Sequence, residues 1–252
     1  MLIIFYLRYK YVVLRPKSFA EGYMSKNKLK KFEAILDFPH VYENYDPKHP
    51  KLIRSKDEVV DLKNNWNQGH FKNGQPIILE LACGRGEYTE ALAEAYPDIN
   101  FIGVDVKGAR IWKGATTTLN KGLNNAAFLR TRIEQLDLFM GKDEVDSIWI
   151  TFPDPFLRES KENKRLTSPR FLNMYKNILK PGGILHLKTD DPTLYQFTLD
   201  TLSTYQGASV LYHNEDIYSA QLPYPELAYK TYYEKSHLAD GRKIKYVRFT
   251  IN

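Results

Sequence analysis

Cysteine is almost absent from the chain: Cys83 is the only one in 252 residues. A single thiol excludes an internal disulfide framework and any zinc site built on several cysteines. The six histidines show no pair at the spacing of a helical metal site, so we expect no metal ion. The sequence has no internal repeat or low-complexity tract. With 43% hydrophobic and 26% charged residues, it is typical of a globular protein rather than a disordered, collagen-like or coiled-coil chain.

Long apolar segments are also missing. Residues 1–7 are apolar, but Arg8 and Lys10 interrupt the run. A membrane span needs about 20 apolar residues and a signal peptide an uninterrupted apolar core, so we expect no membrane association and predict a cytoplasmic protein. The composition changes at Met24, where MSKNKLKKF is typical of a bacterial protein start. Residues 1–23 are therefore either a non-native or disordered extension or an edge strand that packs on the core.

The positive charge is concentrated at one end of the chain. The whole chain carries a net charge of +6, whereas residues 1–31 hold eight basic residues and one acidic residue, which leaves the remaining 221 residues close to neutral. A concentrated positive segment suits a polyanionic partner such as nucleic acid. We predict that residues 24–72 form a basic arm with short helices near 28–36 and 55–66 and a loop at 37–51.

From residue 73 to residue 252, apolar runs of strand length alternate with helical stretches. The predicted strands are 77–82, 101–105, 126–130, 145–152, 184–188, 208–213 and 243–251. The predicted helices are 87–95, 108–121, 134–140, 169–179 and 193–204. This alternation predicts an α/β domain whose central sheet is mostly parallel, has seven strands and is flanked by helices on both faces.

The segment ELACGRGEYTEAL (80–92) follows a predicted strand and opens a predicted helix, which is the context of a nucleotide-binding glycine loop. Gly84 and Gly86 let the backbone turn sharply and approach a ligand. Asp105 ends the next strand, where a carboxylate can bind ribose hydroxyls. The spacing from Glu80 to Gly86 resembles the loop of class I methyltransferases, although Ala82 replaces the first glycine. The replacement is tolerable if Ala82 keeps a negative φ.

The segment TFPDPFLRESKENKRLT (151–167) follows another predicted strand, so Asp154 falls at the carboxyl end of the sheet, where open α/β sheets bind ligands. Pro153 and Pro155 flank Asp154 and stiffen its backbone. The stretch that follows is basic, and we expect it to contact phosphates or to be a solvated loop. Its basic residues are Arg158, Lys161, Lys164, Arg165 and Arg170.

Together these motifs identify a family resemblance. ELACGRGEY, FIGVDVKGARIW, the FPDPF–KRLT block, LKPGGILHLKTDD and TYYEK at 231–235 resemble the bacterial tRNA (guanine-N(7)-)-methyltransferases. The resemblance implies a Rossmann-like class I fold with S-adenosylmethionine as the co-substrate. It also implies methyl transfer to N(7) of the guanosine at position 46, in the variable loop of tRNA, by a monomer or homodimer.

The resemblance also implies roles for individual residues. Asp154 matches the catalytic acid. The residues implied to bind the cofactor are Glu80, Gly84, Gly86, Asp105, Arg132 and Asp154. The residues implied to bind the substrate are Arg158, Asp190, Thr231, Tyr232, Tyr233 and Glu234. Asp190 has an alternative role as the N-cap of the following helix, as does Asp191, and the tyrosines could serve in packing rather than in stacking on a base.

One cofactor position departs from the family pattern. Arg132 stands where many members have an acid after the third strand of the domain. Either Glu134 takes that role after a small shift, or the adenine is held by the backbone and by 125–127.

Two other function classes stay open at this point. A class I methyltransferase that acts on a small molecule or a protein would explain the glycine loop, but not the FPDPF–KRLT and TYYEK segments. A non-catalytic tRNA-binding scaffold would explain Ala82 and Arg132, but not the acids at Asp105 and Asp154. A nicotinamide dehydrogenase is disfavoured because the loop lacks the third glycine of its motif.

Overall fold

The computed structural model describes residues 26–252, so the predictions made for 1–23 lie outside the described residues. The strands are β1 (Val41–Glu43), β2 (Leu52–Arg54), β3 (Glu58–Val60), β4 (Ile77–Leu81), β5 (Asn100–Asp105), β6 (Ala126–Arg130), β7 (Val145–Thr151), β8 (Leu179–Thr189), β9 (Ala208–Asn214) and β10 (Lys245–Ile251). The helices are α1 (Lys26–Ala34), α2 (Glu87–Ala95), α3 (Gly108–Asn120), α4 (Pro169–Ile178), α5 (Pro192–Thr204) and α6 (Tyr232–Ala239). Short 3₁₀ turns lie at Ile35–Asp37, Ile133–Leu138, Glu159–Lys164 and Pro225–Ala228, and a π-helical turn at Asn67–Phe71.

All of these strands join one sheet in the order β3-β2-β1-β6-β5-β4-β7-β8-β10-β9. The run from β1 through β6, β5, β4 and β7 to β8 is parallel, and β10 pairs antiparallel with both β8 and β9. The seven strands predicted from the sequence occupy neighbouring places in this order. The predicted α/β fold with a mostly parallel sheet is therefore confirmed.

The predicted number of strands is wrong, because residues 26–252 alone form a sheet of ten strands rather than seven. β1 pairs in parallel with β6, and β2 and β3 extend the sheet as a hairpin. The helix predicted over 55–66 is also wrong, since Ser55 and Lys56 have positive φ values in the turn of that hairpin. Three-residue strands are too short to show an alternating pattern, so the sequence offered little sign of them.

The parallel strands are buried on both faces, which explains their continuous apolar sequences. In β4, Ile77, Leu79 and Leu81 are at most 1% exposed. The carboxyl ends of β4, β5, β6, β7 and β8 lie at the same edge of the sheet, because parallel strands run in the same direction. The predicted site residues that follow these strands are therefore brought to one edge.

The remaining predictions of secondary structure differ in detail. The KPGG segment at 180–183 lies within β8, at a register shift in its pairing with β7, so β8 begins before the strand predicted at 184–188. Residues between β9 and β10 hold the 3₁₀ turn Pro225–Ala228 and α6. No helix within 26–252 is long and apolar enough to cross a bilayer.

Candidate active site

The glycine loop connects β4 to α2 and folds as a tight turn. Gly84 and Gly86 have φ values of 56° and 68°, a region that favours glycine. A Cβ on Gly86 would lie 2.5 Å from Phe128 Cε1 and 3.2 Å from Gly114 Cα, so packing against β6 and α3 also requires glycine there. At Gly84 the nearest atom to such a Cβ is the Ala82 carbonyl oxygen at 3.9 Å. The backbone of Gly84 is therefore open to a ligand.

Ala82 does not have the negative φ that would make the replacement of glycine tolerable. Its φ is 61°, which is the left-handed region that costs a residue with a Cβ about 1 kcal/mol. Ala82 therefore occupies a conformation that favours glycine, at the expense of local strain.

Asp105 ends β5 beside this loop. Its carboxylate accepts hydrogen bonds from the backbone N–H of Gly84 at 3.0 Å and of Lys107 at 2.7 Å. The apolar side chain of Val106 next to it is 53% exposed. A carboxylate at the end of this strand suits ribose hydroxyls, and an exposed apolar side chain suits the face of a planar base. Together with the open backbone of Gly84, these residues fit a cofactor that contains a nucleoside, such as S-adenosylmethionine.

Glu80 lies near the end of β4, just before the glycine loop, and is only 4% exposed. Its carboxylate accepts hydrogen bonds from the Thr89 backbone N–H at 2.8 Å, from Thr89 Oγ1 at 2.5 Å and from Thr151 Oγ1 at 2.6 Å. Burial outweighs these hydrogen bonds and raises the pKa of Glu80 to about 7. Glu80 therefore ties β4 to α2 and β7, and a nearby cation would favour its ionised form.

The third cofactor position lies after β6. Arg132 and Glu134 are both exposed at the start of the turn Ile133–Leu138, so either side chain can reach solvent at the carboxyl edge. Asn125 instead precedes β6, and its Nδ2 donates to the carbonyl oxygens of Ala93, Tyr96 and Ile99 at 2.9 to 3.1 Å. Because Asn125 lies at the opposite edge of the sheet, the alternative that 125–127 holds the adenine is wrong.

The FPDPF loop follows β7 and presents Asp154 to solvent. The backbone N–H of Phe156 donates to Asp154 Oδ1 at 3.1 Å, which leaves Oδ2 without a partner among the described residues. Phe152 and Phe156 have φ values of 48° and 43°. Two non-glycine residues in this strained region on either side of Asp154 are typical of a functional loop whose shape is held by its surroundings.

Arg165 stabilises the FPDPF loop from the protein interior. It is 2% exposed, and its guanidinium donates to the carbonyl oxygens of Pro155 at 3.0 Å and Phe156 at 3.2 Å. It also pairs with Glu162 at 2.8 Å and lies 4.4 Å from the centre of the Phe197 ring. The expectation that Arg165 contacts phosphates with the rest of the basic stretch is therefore wrong. The other four basic residues are exposed: Arg158, Lys161, Lys164 and Arg170.

The two adjacent acids after β8, Asp190 and Asp191, have different roles. Asp191 is the N-cap of α5, where its Oδ1 accepts from the backbone N–H of Leu194 at 2.7 Å. Asp190 instead pairs with Arg242 Nη1 at 2.7 Å, and its side chain is 16% exposed. The alternative N-cap role therefore belongs to Asp191 and not to Asp190.

The residues of the predicted substrate segment at the start of α6 also differ in exposure and in role. Tyr232 and Tyr233 are 54% and 38% exposed. Thr231 is the N-cap of α6, and its Oγ1 accepts from the Glu234 backbone N–H at 3.2 Å. Glu234 is fully buried, where it pairs with Lys188 Nζ and accepts a hydrogen bond from the Tyr218 hydroxyl at 2.6 Å. Of the four residues implied to bind the substrate here, Tyr232 and Tyr233 are exposed, Thr231 is half-buried and Glu234 is buried.

Comparison with known proteins assigns this architecture to a family. The sequence matches the family Methyltransf_4, described as "Putative methyltransferase", over residues 74–247. The tRNA (guanine-N(7)-)-methyltransferase of Christiangramia forsetii is 45% identical over 228 residues, which cover 90% of this chain and 99% of that protein. The enzyme of the same name from Bacteroides fragilis is 45% identical over 229 residues, covering 90% and 87%. The chain belongs to the tRNA (guanine-N(7)-)-methyltransferase family.

Membership in this family confirms the resemblance and the prediction of a methyltransferase. The crystal structure of the 16S rRNA methyltransferase KamB has the same fold, with a TM-score of 0.56 and 14% identity over 77% of this chain and 96% of that one. In this member of the family, sequence analysis missed the buried role of Arg165 and the Lys188–Glu234 pair. A charged residue inside an apolar strand, as at Lys188, was the one available signal of a buried ion pair.

Proposed function

We propose that this protein transfers the methyl group of S-adenosylmethionine to N(7) of a guanosine in tRNA and forms 7-methylguanosine. The observation that carries the proposal is the pair of acids at Asp105 and Asp154, placed at the carboxyl ends of the two parallel strands β5 and β7 that flank β4, in a chain 45% identical to enzymes of that name. The finer part of the proposal is that the guanosine lies at position 46 of the variable loop and that the reaction takes place in the cytoplasm.

The cofactor would lie across the carboxyl ends of β4 and β5. Asp105 would accept hydrogen bonds from the ribose, the open backbone at Gly84 would approach the methionine portion, and Val106 would cover one face of the adenine. When bound, S-adenosylmethionine supplies a methyl group that its sulfonium already activates. Glu80, whose pKa is raised by burial to about 7, would in its ionised form favour the positive charges of the cofactor.

Asp154 would bind and orient the guanine. N(7) carries a lone pair and no proton, so the site needs no general base to expose it. Asp154 Oδ2 is free to accept hydrogen bonds from the donor edge of the base, and its loop is held in one shape by Arg165. Orientation of this kind can lower a barrier by several kcal/mol, up to about 7–11 in intramolecular models. The carboxylate would also stabilise the positive charge that develops on the methylated base.

The tRNA would contact the exposed residues around this site. Arg158 lies two residues beyond Phe156 and is free for a phosphate, while Tyr232 and Tyr233 are exposed for contact with an unstacked base. Asp190, paired with Arg242, would set the position of the loop after β8. We assign Thr231 and Glu234 positioning roles, since their side chains are committed to the start of α6 and to Lys188.

The test is a methylation assay with unmodified tRNA transcripts and S-adenosylmethionine labelled in the methyl group. After digestion to nucleosides, we expect the label in 7-methylguanosine. A transcript with adenosine in place of the guanosine at position 46 should remain unlabelled. Label in another nucleoside would refute the assignment of N(7). Absence of label from tRNA would favour another substrate or a non-catalytic scaffold.

A further inference from the structure

A cleft of about 400 Å³ lies beside the glycine loop, outside the residues assigned to the cofactor or to Asp154. It is formed where the glycine loop, α1, α3 and the start of α6 meet. Side chains that line it are Lys31, Arg85, Arg110, Trp112, Lys113 and Tyr233. The volume is within the range of ligand sites, but most such sites are lined by apolar groups. This lining has four cations, so the ligand it suits is an anion.

Three of the four cations are not neutralised. Lys113 pairs with Glu87 at 3.5 Å, but no ion pair within 26–252 involves Lys31, Arg85 or Arg110. Glu87 is itself engaged, since its Oε2 accepts from the Tyr232 backbone N–H at 2.6 Å. Lys31, Arg85 and Arg110 therefore repel one another, and an anion between them relieves that repulsion.

Aromatic rings hold these three cations in place. Lys31 Nζ lies 4.7 Å from the centre of the Trp112 ring, and the guanidinium of Arg85 lies 4.4 Å from the centre of the Tyr232 ring. The guanidinium of Arg110 lies 5.7 Å from the centre of the Tyr233 ring. A guanidinium that rests on a ring keeps its N–H groups free at the edge, where they can bind phosphate oxygens. The cleft is therefore oriented for an anion before one arrives.

The position of the cleft indicates which anion it receives. Arg85 lies between the two glycines of the loop, so the cleft begins where the cofactor site ends. Tyr232 and Tyr233 beside the cleft are the first residues of α6. Farther along this helix, the His237 ring packs against Phe152 of the FPDPF loop, with 5.8 Å between ring centres. A substrate strand that reaches Asp154 can thus extend across α6 into the cleft.

We propose that this cleft binds a backbone phosphate of the substrate RNA through Lys31, Arg85 and Arg110. The inference rests on the proposed function for the identity of the RNA. It differs from the basic stretch after Asp154, because the two surfaces lie on different elements. The residues come from positions 31, 85 and 110 with rings from 112, 232 and 233, so their sequence spacing does not indicate a common site.

The test compares two double variants in tRNA binding. Lys31→Gln/Arg110→Gln removes two of the charges and spares Arg85 in the glycine loop. Lys142→Gln/Lys176→Gln is the matched control, since both lysines lie near the opposite edge of the sheet. Filter binding of an unmodified tRNA transcript between 50 and 300 mM KCl gives the dissociation constant and its salt dependence. Circular dichroism and thermal unfolding verify that both variants are folded, and the single variant Arg110→Gln repeats the test with a smaller change.

We expect Lys31→Gln/Arg110→Gln to weaken tRNA binding about tenfold at the lower salt concentrations and to reduce the log–log salt slope by about 1.4 to 1.8, as expected for two lost phosphate contacts. The control should stay within twofold. Affinity for S-adenosylmethionine, measured by calorimetry, should not change. In the methylation assay, the KM for tRNA should rise and kcat should stay the same.

Three results would overturn the inference. These are an unchanged salt slope, an equal loss in the control, and a loss of affinity for S-adenosylmethionine, which would place the cleft in the cofactor site. Failure of the proposed function gives a different result. In that case the wild-type protein would bind tRNA with the expected dependence on Lys31 and Arg110 but would form no 7-methylguanosine.

Discussion

Lys188 Nζ and Glu234 Oε1 lie 2.8 Å apart, and both side chains are completely buried. The pair connects the end of β8 to the start of α6, and Lys188 also donates to the carbonyl oxygens of Leu227 and Tyr229 at 3.2 and 3.1 Å. Burial lowers the pKa of Lys188, and the attraction of Glu234 opposes that effect. The two charges thus fix the segment that carries Tyr232 and Tyr233 against the edge of the sheet.

Removing one member of this pair should be strongly destabilising. Glu234→Gln leaves the Lys188 ammonium buried without a counter-charge, and we expect the free energy of unfolding to fall by about 3–5 kcal/mol. The double variant Lys188→Met/Glu234→Leu removes both charges and should recover most of that loss. Urea unfolding of the three proteins measures the effect. A loss below about 1 kcal/mol in Glu234→Gln would show that the pair is not buried as described.

Asp154 should be needed for turnover but not for cofactor binding. Its side chain is exposed and, among the described residues, accepts one hydrogen bond, from the Phe156 backbone N–H, so replacement should not disturb the fold. We expect Asp154→Asn to lower methylation at saturating tRNA by about 100-fold or more, with the affinity for S-adenosylmethionine within a few-fold of the wild type. Asp98→Asn, at the opposite edge of the sheet, is the control. Wild-type turnover in Asp154→Asn would remove this residue from the mechanism.

Glu80 should make stability depend on pH in a defined direction. Because its folded pKa of about 7 lies above the unfolded value, its contribution is complete below the unfolded pKa and is lost as pH rises through 7. The free energy of unfolding of the wild type relative to Glu80→Gln should therefore fall by about 2–3 kcal/mol between pH 5 and pH 7.5. Chemical unfolding at several pH values measures this difference. Glu94→Gln changes an exposed residue, so its free energy of unfolding should depend on pH as that of the wild type does. The same pH dependence in Glu80→Gln and the wild type would show that the Glu80 pKa is ordinary.

Ala82→Gly should stabilise the protein. Ala82 has a φ of 61°, and glycine adopts this conformation without steric cost, although it gains more freedom in the unfolded chain. We expect a net gain of about 0.5–1 kcal/mol, seen as an increase in Tm of a few degrees. Ala91→Gly, within α2, should instead lower Tm, because glycine weakens a helix interior. A lower Tm for Ala82→Gly would show that the backbone at this position relaxes to negative φ.

The fold was predictable where long elements repeat a clear pattern. The parallel strands from Ile77 to Thr189 and the helices between them match their predicted positions within a few residues, because buried strands must be apolar on both faces. β1, β2 and β3 were not predictable, since a strand of three residues gains its stability from its neighbours. Tyr42, for example, is completely buried against Trp66, a contact between residues far apart in the sequence.

The site was predictable in its acids but not in their surroundings. Asp105 and Asp154 follow strands, and the direction of parallel strands alone brings such residues to one edge. Burial of Arg165 and Glu234 was not predictable, because the sequence shows charge but not the partner that neutralises it. Arg165 looks like its exposed neighbours Lys161 and Lys164 in sequence, and only the carbonyl groups of Pro155 and Phe156 distinguish it.

The addition of β1 to the sheet determines which strands are outer strands with unpaired backbone N–H and C=O groups. In a sheet of seven strands, β6 would be an outer strand and would expose a row of hydrogen-bonding groups beside the nucleotide loop. β1 occupies that row, and within 26–252 the sheet instead ends at the three-residue β3 and at β9, where Val210 and Leu211 are 41% and 49% exposed. An open strand is a template for aggregation. Any such pairing through β9 would thus begin on the side of the sheet farthest from β6.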